Sequence, residues 1–235
     1  MSGTWAIFKK EFWAYFNSPI AYVFLVIFLL LTTAFYFSYR FLDNYAYMGD
    51  FFNWLPAWFV VLVPSVTMRL WAEERKLKTE ELLLTLPLRS YQIVFGKYLA
   101  SLALILIALA FTLSVPLTIG WLGNLDPGPV VGGYLGALLM GGAYLAMGLF
   151  LSSLTTNQIL AFILSLLGCA SFLFVGYLTP LLPEGWVAIA EYLSVTQHFQ
   201  SIALGQIDSR DLVYFLSFVI FFLYANIASL EARKW

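Results

Sequence analysis

The sequence predicts an all-α polytopic membrane protein with six spanning helices, and three observations carry that prediction. Of its 235 residues, 62% are hydrophobic and 11% charged, with mean hydropathy +0.86. Soluble domains carry about 25% charged residues, so composition alone sets the class. Six stretches reach the roughly 20 mostly apolar residues a helix needs to cross hydrocarbon. The basic residues between them fall almost entirely on one side.

The six stretches run from about Ile20 to Phe41, Phe51 to Trp71, Gln92 to Trp121, Val130 to Leu154, Ile159 to Leu182 and Leu212 to Leu230. The third is roughly 45 Å long at about 1.5 Å per residue, so one end should leave the hydrocarbon. Asp126-Pro127-Gly128-Pro129 reads as a turn, and Thr155-Thr156-Asn157-Gln158 as a short polar hinge. Asp208-Ser209-Arg210-Asp211 offers N-cap candidates for the last helix. The first stretch lacks a small-residue cleavage site after it and is expected to stay in the protein. Residues 1–235 are read as one transmembrane domain.

With the N-terminus in the cytoplasm, Lys9, Lys10, Arg69, Arg75, Lys76, Lys78, Arg89, Lys97, Arg233 and Lys234 lie inside, and only Arg40 and Arg210 outside. That asymmetry places both termini in the cytoplasm. Trp5, Trp13, Trp54, Trp71, Trp121, Trp186 and Trp235 fall near predicted water interfaces, with Trp58 deeper. An indole there buries its ring and keeps its N–H wet.

Two segments are neither spans nor simple loops. In residues 4–17, Trp5, Phe8, Phe12, Tyr15 and Phe16 recur at helical spacing, while Lys9, Lys10 and Glu11 point elsewhere. The pattern predicts a helix lying in the cytoplasmic interface. The outer connection, residues 183–211, carries Phe199, Ile202 and Ala203 at helical spacing and predicts one or two short helices half-sunk in the outer leaflet.

Several function classes are disfavoured. Net charge is −1, so no general field attracts nucleic acid. Cys169 and His198 are the sole cysteine and histidine, which argues against a metal site and an internal disulfide. No ionisable residue lies in the middle of a span, unlike most ion-coupled carriers. Glu73-Glu74-Arg75 faintly resembles the glutamates of intramembrane metalloproteases, but the histidines they need are absent. No catalytic residue is assigned. The only Gly-Lys, Gly96-Lys97, opens a span and is no phosphate loop, so ATP and Mg would be bound by a partner subunit.

The fourth span is rich in glycine. Gly132 and Gly136 form GxxxG, and Gly141 extends the small-residue spacing. Such residues let helix backbones approach in lipid, within one subunit or toward a dimer partner. Pro64 and Pro116 should kink or interrupt the second and third spans, where Thr112, Ser114 and Thr118 can satisfy freed carbonyls.

Charge concentrates in residues 73–90, EERKLKTEELLLTLPLRS. The second span runs into it without a breaker and should project past the membrane. Thr79 reads as an N-cap, Glu80 and Glu81 suit the positive helix end, and Pro87 stops the helix. The third span follows near Gln92, with Ser90 a candidate cap. A short leucine-faced helix across the ends of two spans suits a lipid surface or a protein groove. Its mixed charges favour the groove, since a lipid-binding patch should be mainly basic.

Glu74-Arg75, Thr79, Glu81-Leu82-Leu83, Pro87 and Gly96-Lys97 together resemble the signature of ABC-2 type permeases: E-R, T-x-E-L-L, P, then G-K. Phe199, Gly205, Ile207-Asp208, Asp211, Tyr214-Phe215 and Arg233-Lys234-Trp235 resemble the last span and flanks of the gliding-motility type. Many members have glycine where this chain has Lys78.

The resemblance implies a permease in the bacterial inner membrane, paired with a second permease copy or relative and driven by cytoplasmic ATP-binding cassette ATPase subunits. Some such systems add a partner with a large extracytoplasmic domain. Residues 4–17 then resemble the connecting helix. Residues 73–90 resemble the coupling region, with Glu74, Arg75, Thr79, Glu80, Glu81, Leu82, Leu83 and Pro87 as its contact residues, and residues 183–211 resemble re-entrant helices. The expected function is export powered by that partner. The alternatives are a membrane scaffold transmitting force to an extracytoplasmic partner and, less favoured, an ion-coupled carrier or channel.

Overall fold

A computed structural model describes residues 3–39 and 47–232; Arg40, Arg233, Lys234 and Trp235, named above, lie outside it. Among the described residues the chain is helical, with no strand. Helix α1 (Gly3–Asn17) precedes the first span, made of α2 (Pro19–Leu29), a π turn (Leu30–Ala34) and α3 (Phe35–Tyr39). Helix α4 (Gly49–Lys76) is the second span and α5 (Thr79–Thr85) the short helix after it. Helices α6 (Ser90–Thr112) and α7 (Ser114–Leu122) form the third, α8 (Pro127–Ser152) the fourth and α9 (Gln158–Leu178) the fifth, which a 3₁₀ turn (Thr179–Leu181) extends. Two short helices, α10 (Glu184–Leu193) and α11 (Val195–Ala203), lead to the sixth span, α12 (Ser209–Glu231). Six helical runs are long and apolar enough to cross a membrane, as the sequence predicts.

Helix α8 is the axis of the bundle. Helices α4, α6, α9, α11 and α12 pack around it. Every residue from Met140 to Leu149 is buried, an all-round burial that its glycines and alanines permit. The outer helices keep large apolar side chains outward, among them Val26, Ile163, Leu216 and Ile220. In water that surface would collapse; against lipid tails it has no such drive.

Local chemistry explains the helix ends. Asp126, Asn157 and Asp208 each accept a bond from the backbone N–H two residues on and so cap α8, α9 and α12. The third span is interrupted one turn before Pro116. Pro116 has no N–H for the Thr112 carbonyl, and the break falls at Leu113, whose N–H bonds Ala110 O in a tighter turn. Thr112, Ser114 and Thr118 hydroxyls donate to the carbonyls of Leu109, Phe111 and Ser114, not to the freed Thr112 carbonyl. Pro64 leaves α4 continuous. The π turn is a feature sequence reasoning missed; there Thr32 donates to Phe28 O at 2.7 Å and Thr33 to Leu29 O.

Candidate functional site

Helix α1 lies along α6, close enough that Gly96 is required. A Cβ there would sit 2.6 Å from Ile7 Cβ and 3.0 Å from Thr4 O. That contact brings Lys10 and Glu11 of α1 to Lys97 of α6 and to the last turns of α4. Lys97 is fully buried, and an unpaired ammonium there would cost several kcal/mol. Its Nζ donates to Glu11 Oε1 at 2.9 Å and to Leu70 O at 2.9 Å. It lies 3.0 Å from Glu74 Oε2, an ion-pair contact without hydrogen-bond alignment. The ammonium also stands 4.9 Å from the centre of the Trp71 ring. Lys10 Nζ closes the set, 2.9 Å from Glu74 Oε1 and 3.5 Å from Glu11 Oε1.

Two carboxylates and two ammonium groups thus balance where α1, α4 and α6 meet. Burial raises the Glu11 pKa, but Lys97 and then Lys10 outweigh it and hold the carboxyl below its ordinary value. Burial lowers the Lys10 pKa, and Glu74 and Glu11 outweigh it, so it stands above its ordinary value. A second stitch lies beside the first. Ser101 Oγ donates to Lys97 O at 3.0 Å, so Tyr15 O–H donates to Ser101 Oγ at 2.8 Å. A cleft of about 260 Å³ opens alongside, lined by Lys10, Glu11, Tyr15, Arg69, Glu73 and Glu74.

Helix α5 is tied to this joint. Arg75 donates through Nε to Glu80 Oε2 at 2.7 Å and through Nη2 to Glu80 Oε1 at 3.2 Å, a bidentate pair with the arginine buried. The turn between them passes through Lys78, whose φ of 58° makes it the one non-glycine residue with positive φ among the described residues. The sequence expectation for Thr79 is corrected here. Thr79 is the first helical residue, not the N-cap, and its hydroxyl donates back to Glu74 O at 3.2 Å. Ser90 is likewise the first residue of α6; Arg89 holds the cap position, and its N–H donates to Gln92 Oε1 at 3.1 Å.

A left-handed lysine costs of order 1 kcal/mol, which glycine avoids. Lys78→Gly is therefore expected to raise stability by several tenths of a kcal/mol up to about 1 kcal/mol. A higher melting temperature and slower proteolysis at the turn between α4 and α5 would show it; a lower melting temperature would refute it.

The predicted contact residues divide into two sets. Glu74, Arg75 and Glu80 turn inward, where Glu74 pairs with Lys10 and Lys97 and Arg75 with Glu80. Leu83 is buried and borders a groove between α5 and α1 shared with Ala6, Ile7, Leu86 and Leu88. Glu81 and Pro87 are exposed, as are Leu77, Lys78 and Leu86. Leu82 lies in α5 by its backbone. Trp71, expected at a water interface, is instead fully buried beneath Lys97.

The glycines of α8 face neighbours within the chain. Gly132 meets the backbone of Ile202 and Gly205, Gly136 the ring of Phe199, and Gly141 the side chains of Phe59 and Ile105. They seat α11, α4 and α6 on the axis.

Lys97, Glu11 and Lys10 are the site residues that sequence reasoning missed. One signal was present: Lys97 falls inside the third predicted span, and an ammonium at that depth demands a carboxylate. Chemically the joint has no nucleophile paired with a base and no open ligand set. What it can do is hold three helices and the short α5 as one unit.

Residues 39–230, well over half of the chain, match the family described as ABC-2 family transporter protein. No curated protein matches the chain.

Proposed function

The chain belongs to the ABC-2 transporter family, and we propose that it is a permease subunit driven by a separate cytoplasmic ATP-binding cassette ATPase. A multi-pass membrane component of such a transporter needs an entry point for force. The observation that carries the reading is the position of α5: tied to α4 by Arg75–Glu80 and to the buried joint through Thr79 and Glu74, yet open along Leu77, Glu81 and Leu86. In this reading α5 is the coupling helix and α1 the connecting helix. A push on α5 then moves the ends of α4 and α6 together with α1, and so tilts two spans.

The joint lies on the cytoplasmic side of a bacterial inner membrane in this reading, which the basic residues Lys9, Lys10, Arg69, Lys76 and Lys78 support. The permease works with a second copy or relative, and helices α10 and α11 are the re-entrant pair at the exit. Phe199, Asp211 and Tyr214-Phe215 support the gliding-motility subtype, whose complexes can include an extracytoplasmic-domain protein.

The test is co-expression with the ATP-binding cassette ATPase encoded nearest this chain's reading frame. Co-purification in detergent, and ATP hydrolysis in nanodiscs that changes when the permease is present, are expected. Independent purification of the two, with hydrolysis unaffected, would refute the assignment.

A further inference from the structure

The sole histidine of the chain sits at the opposite end of the bundle from the ionic joint, in a setting that the proposed function does not use. His198 of α11 has both ring nitrogens engaged. Nδ1 lies 2.7 Å from Asp211 Oδ1 of α12, and Nε2 lies 3.0 Å from the carbonyl oxygen of Tyr192 near the C-terminus of α10. A carboxylate and a backbone carbonyl only accept. With Asp211 ionised, both nitrogens face acceptors, and only the imidazolium can donate to the two at once. The surroundings suit a cation. Tyr214 stacks on the ring at 4.0 Å, and the Tyr192 ring meets it edge-on at 5.8 Å. The C-terminal end of α10 presents its negative dipole, and Tyr214 O–H donates to the next carbonyl, Leu193 O, at 2.8 Å. Asp211 is buried, and its second oxygen, Oδ2, has no hydrogen-bond partner.

We infer that His198 is a proton-operated latch that ties α10 to α11 and α12. Loss of a proton comes from Nε2, because the N–H at Nδ1 faces the Asp211 carboxylate. The proton goes to bulk water, and the Nε2 lone pair then opposes the Tyr192 carbonyl at 3.0 Å. The bond to α12 survives and the bond to the Tyr192 carbonyl does not, so α10 keeps its Tyr214–Leu193 bond and its packing on α9 but is held more loosely as pH rises.

Other titratable groups near the site do not replace this contact. On α10 Glu191 is exposed, and at the start of α12 Asp208 and Arg210 are exposed and joined in the cap. On α9 Tyr177 is exposed, and on α8 Tyr144 is fully buried. The faces of α8 that meet α11 carry Gly132 and Gly136 against Ile202 and Phe199. Helix α10 also bears the exposed Trp186 and Ile189, so its loosening would make an apolar surface more mobile at this end of the bundle.

A single histidine makes the test direct. In nanodiscs at about pH 6, ¹⁵N spectra of the ring should show two protonated nitrogens. After correction for intrinsic exchange, amide protection of α10 should fall at least about tenfold between about pH 6 and pH 8.5, the factor expected for losing one charge-assisted hydrogen bond. His198→Gln should abolish that pH dependence. A neutral ring at about pH 6 overturns the latch, as does α10 protection that is independent of pH or changes equally in His198→Gln. If that variant fails to insert, the spectra of the unaltered chain decide alone.

Discussion

Replacing Lys97 with methionine is expected to lower stability by about 3–5 kcal/mol, the range for breaking a buried ion pair by removing one partner. Methionine keeps the straight, unbranched shape, so the loss reports charge and not volume. Glu11 and Glu74 would then share Lys10 alone, leaving one net negative charge near the buried end of α6. Leu70 O would lose its side-chain donor, and Trp71 its cation. For a chain of this size the melting temperature in nanodiscs should drop by at least about 6 °C. Adding Glu11→Gln removes the surplus charge and should recover part of the loss, a non-additivity expected only of groups in one network. A melting temperature within about 1 °C of the parent would show that the joint does not stabilise the bundle. Because α5 hangs from the same joint, any ATPase stimulation by the permease should weaken in Lys97→Met even at temperatures where the protein is still folded. Intact stimulation would separate the joint from force transfer.

Much of the fold was legible because its signals are local. Aromatic spacing alone placed α1, and Asp208 and Pro87 announced helix ends through their own chemistry. Six apolar runs gave six spans because a bilayer selects on length and hydropathy, which any window reads. The site was less legible, for two physical reasons. Glu11 and Lys97 are 86 positions apart, and no local rule pairs them. Thr79 fits an N-cap by residue type, yet the tight turn from α4 into α5 forces Lys78 into the left-handed region and carries the hydroxyl back to Glu74. The signature charges looked like a surface for a partner because charges in a loop usually are solvated. Here the chain turned Glu74, Arg75 and Glu80 inward, across a tight turn that holds Lys78 at positive φ.

That division of the signature into inward and outward residues yields the sharpest test of the docking assignment. Leu83 and Leu86 are three positions apart in the same segment, but Leu83 is 6% exposed and Leu86 48% exposed. Leu83→Asp would bury a carboxylate against α1 and should cost about 3 kcal/mol or more, with a clear fall in melting temperature. Leu86→Asp should change stability by no more than about 0.5 kcal/mol, yet weaken ATPase binding about tenfold or more, the usual effect of putting a charge where a partner expects an apolar anchor. Glu81→Lys, also on the exposed edge, should weaken binding in a way that fades with added salt, since a rim charge acts through a screened field. A lipid contact at Leu86 gives a different pattern: less inserted protein, with ATPase binding per inserted molecule unchanged. If Leu86→Asp and Glu81→Lys both retain full ATPase binding, force does not enter through α5, and the ionic joint behind it is architecture alone.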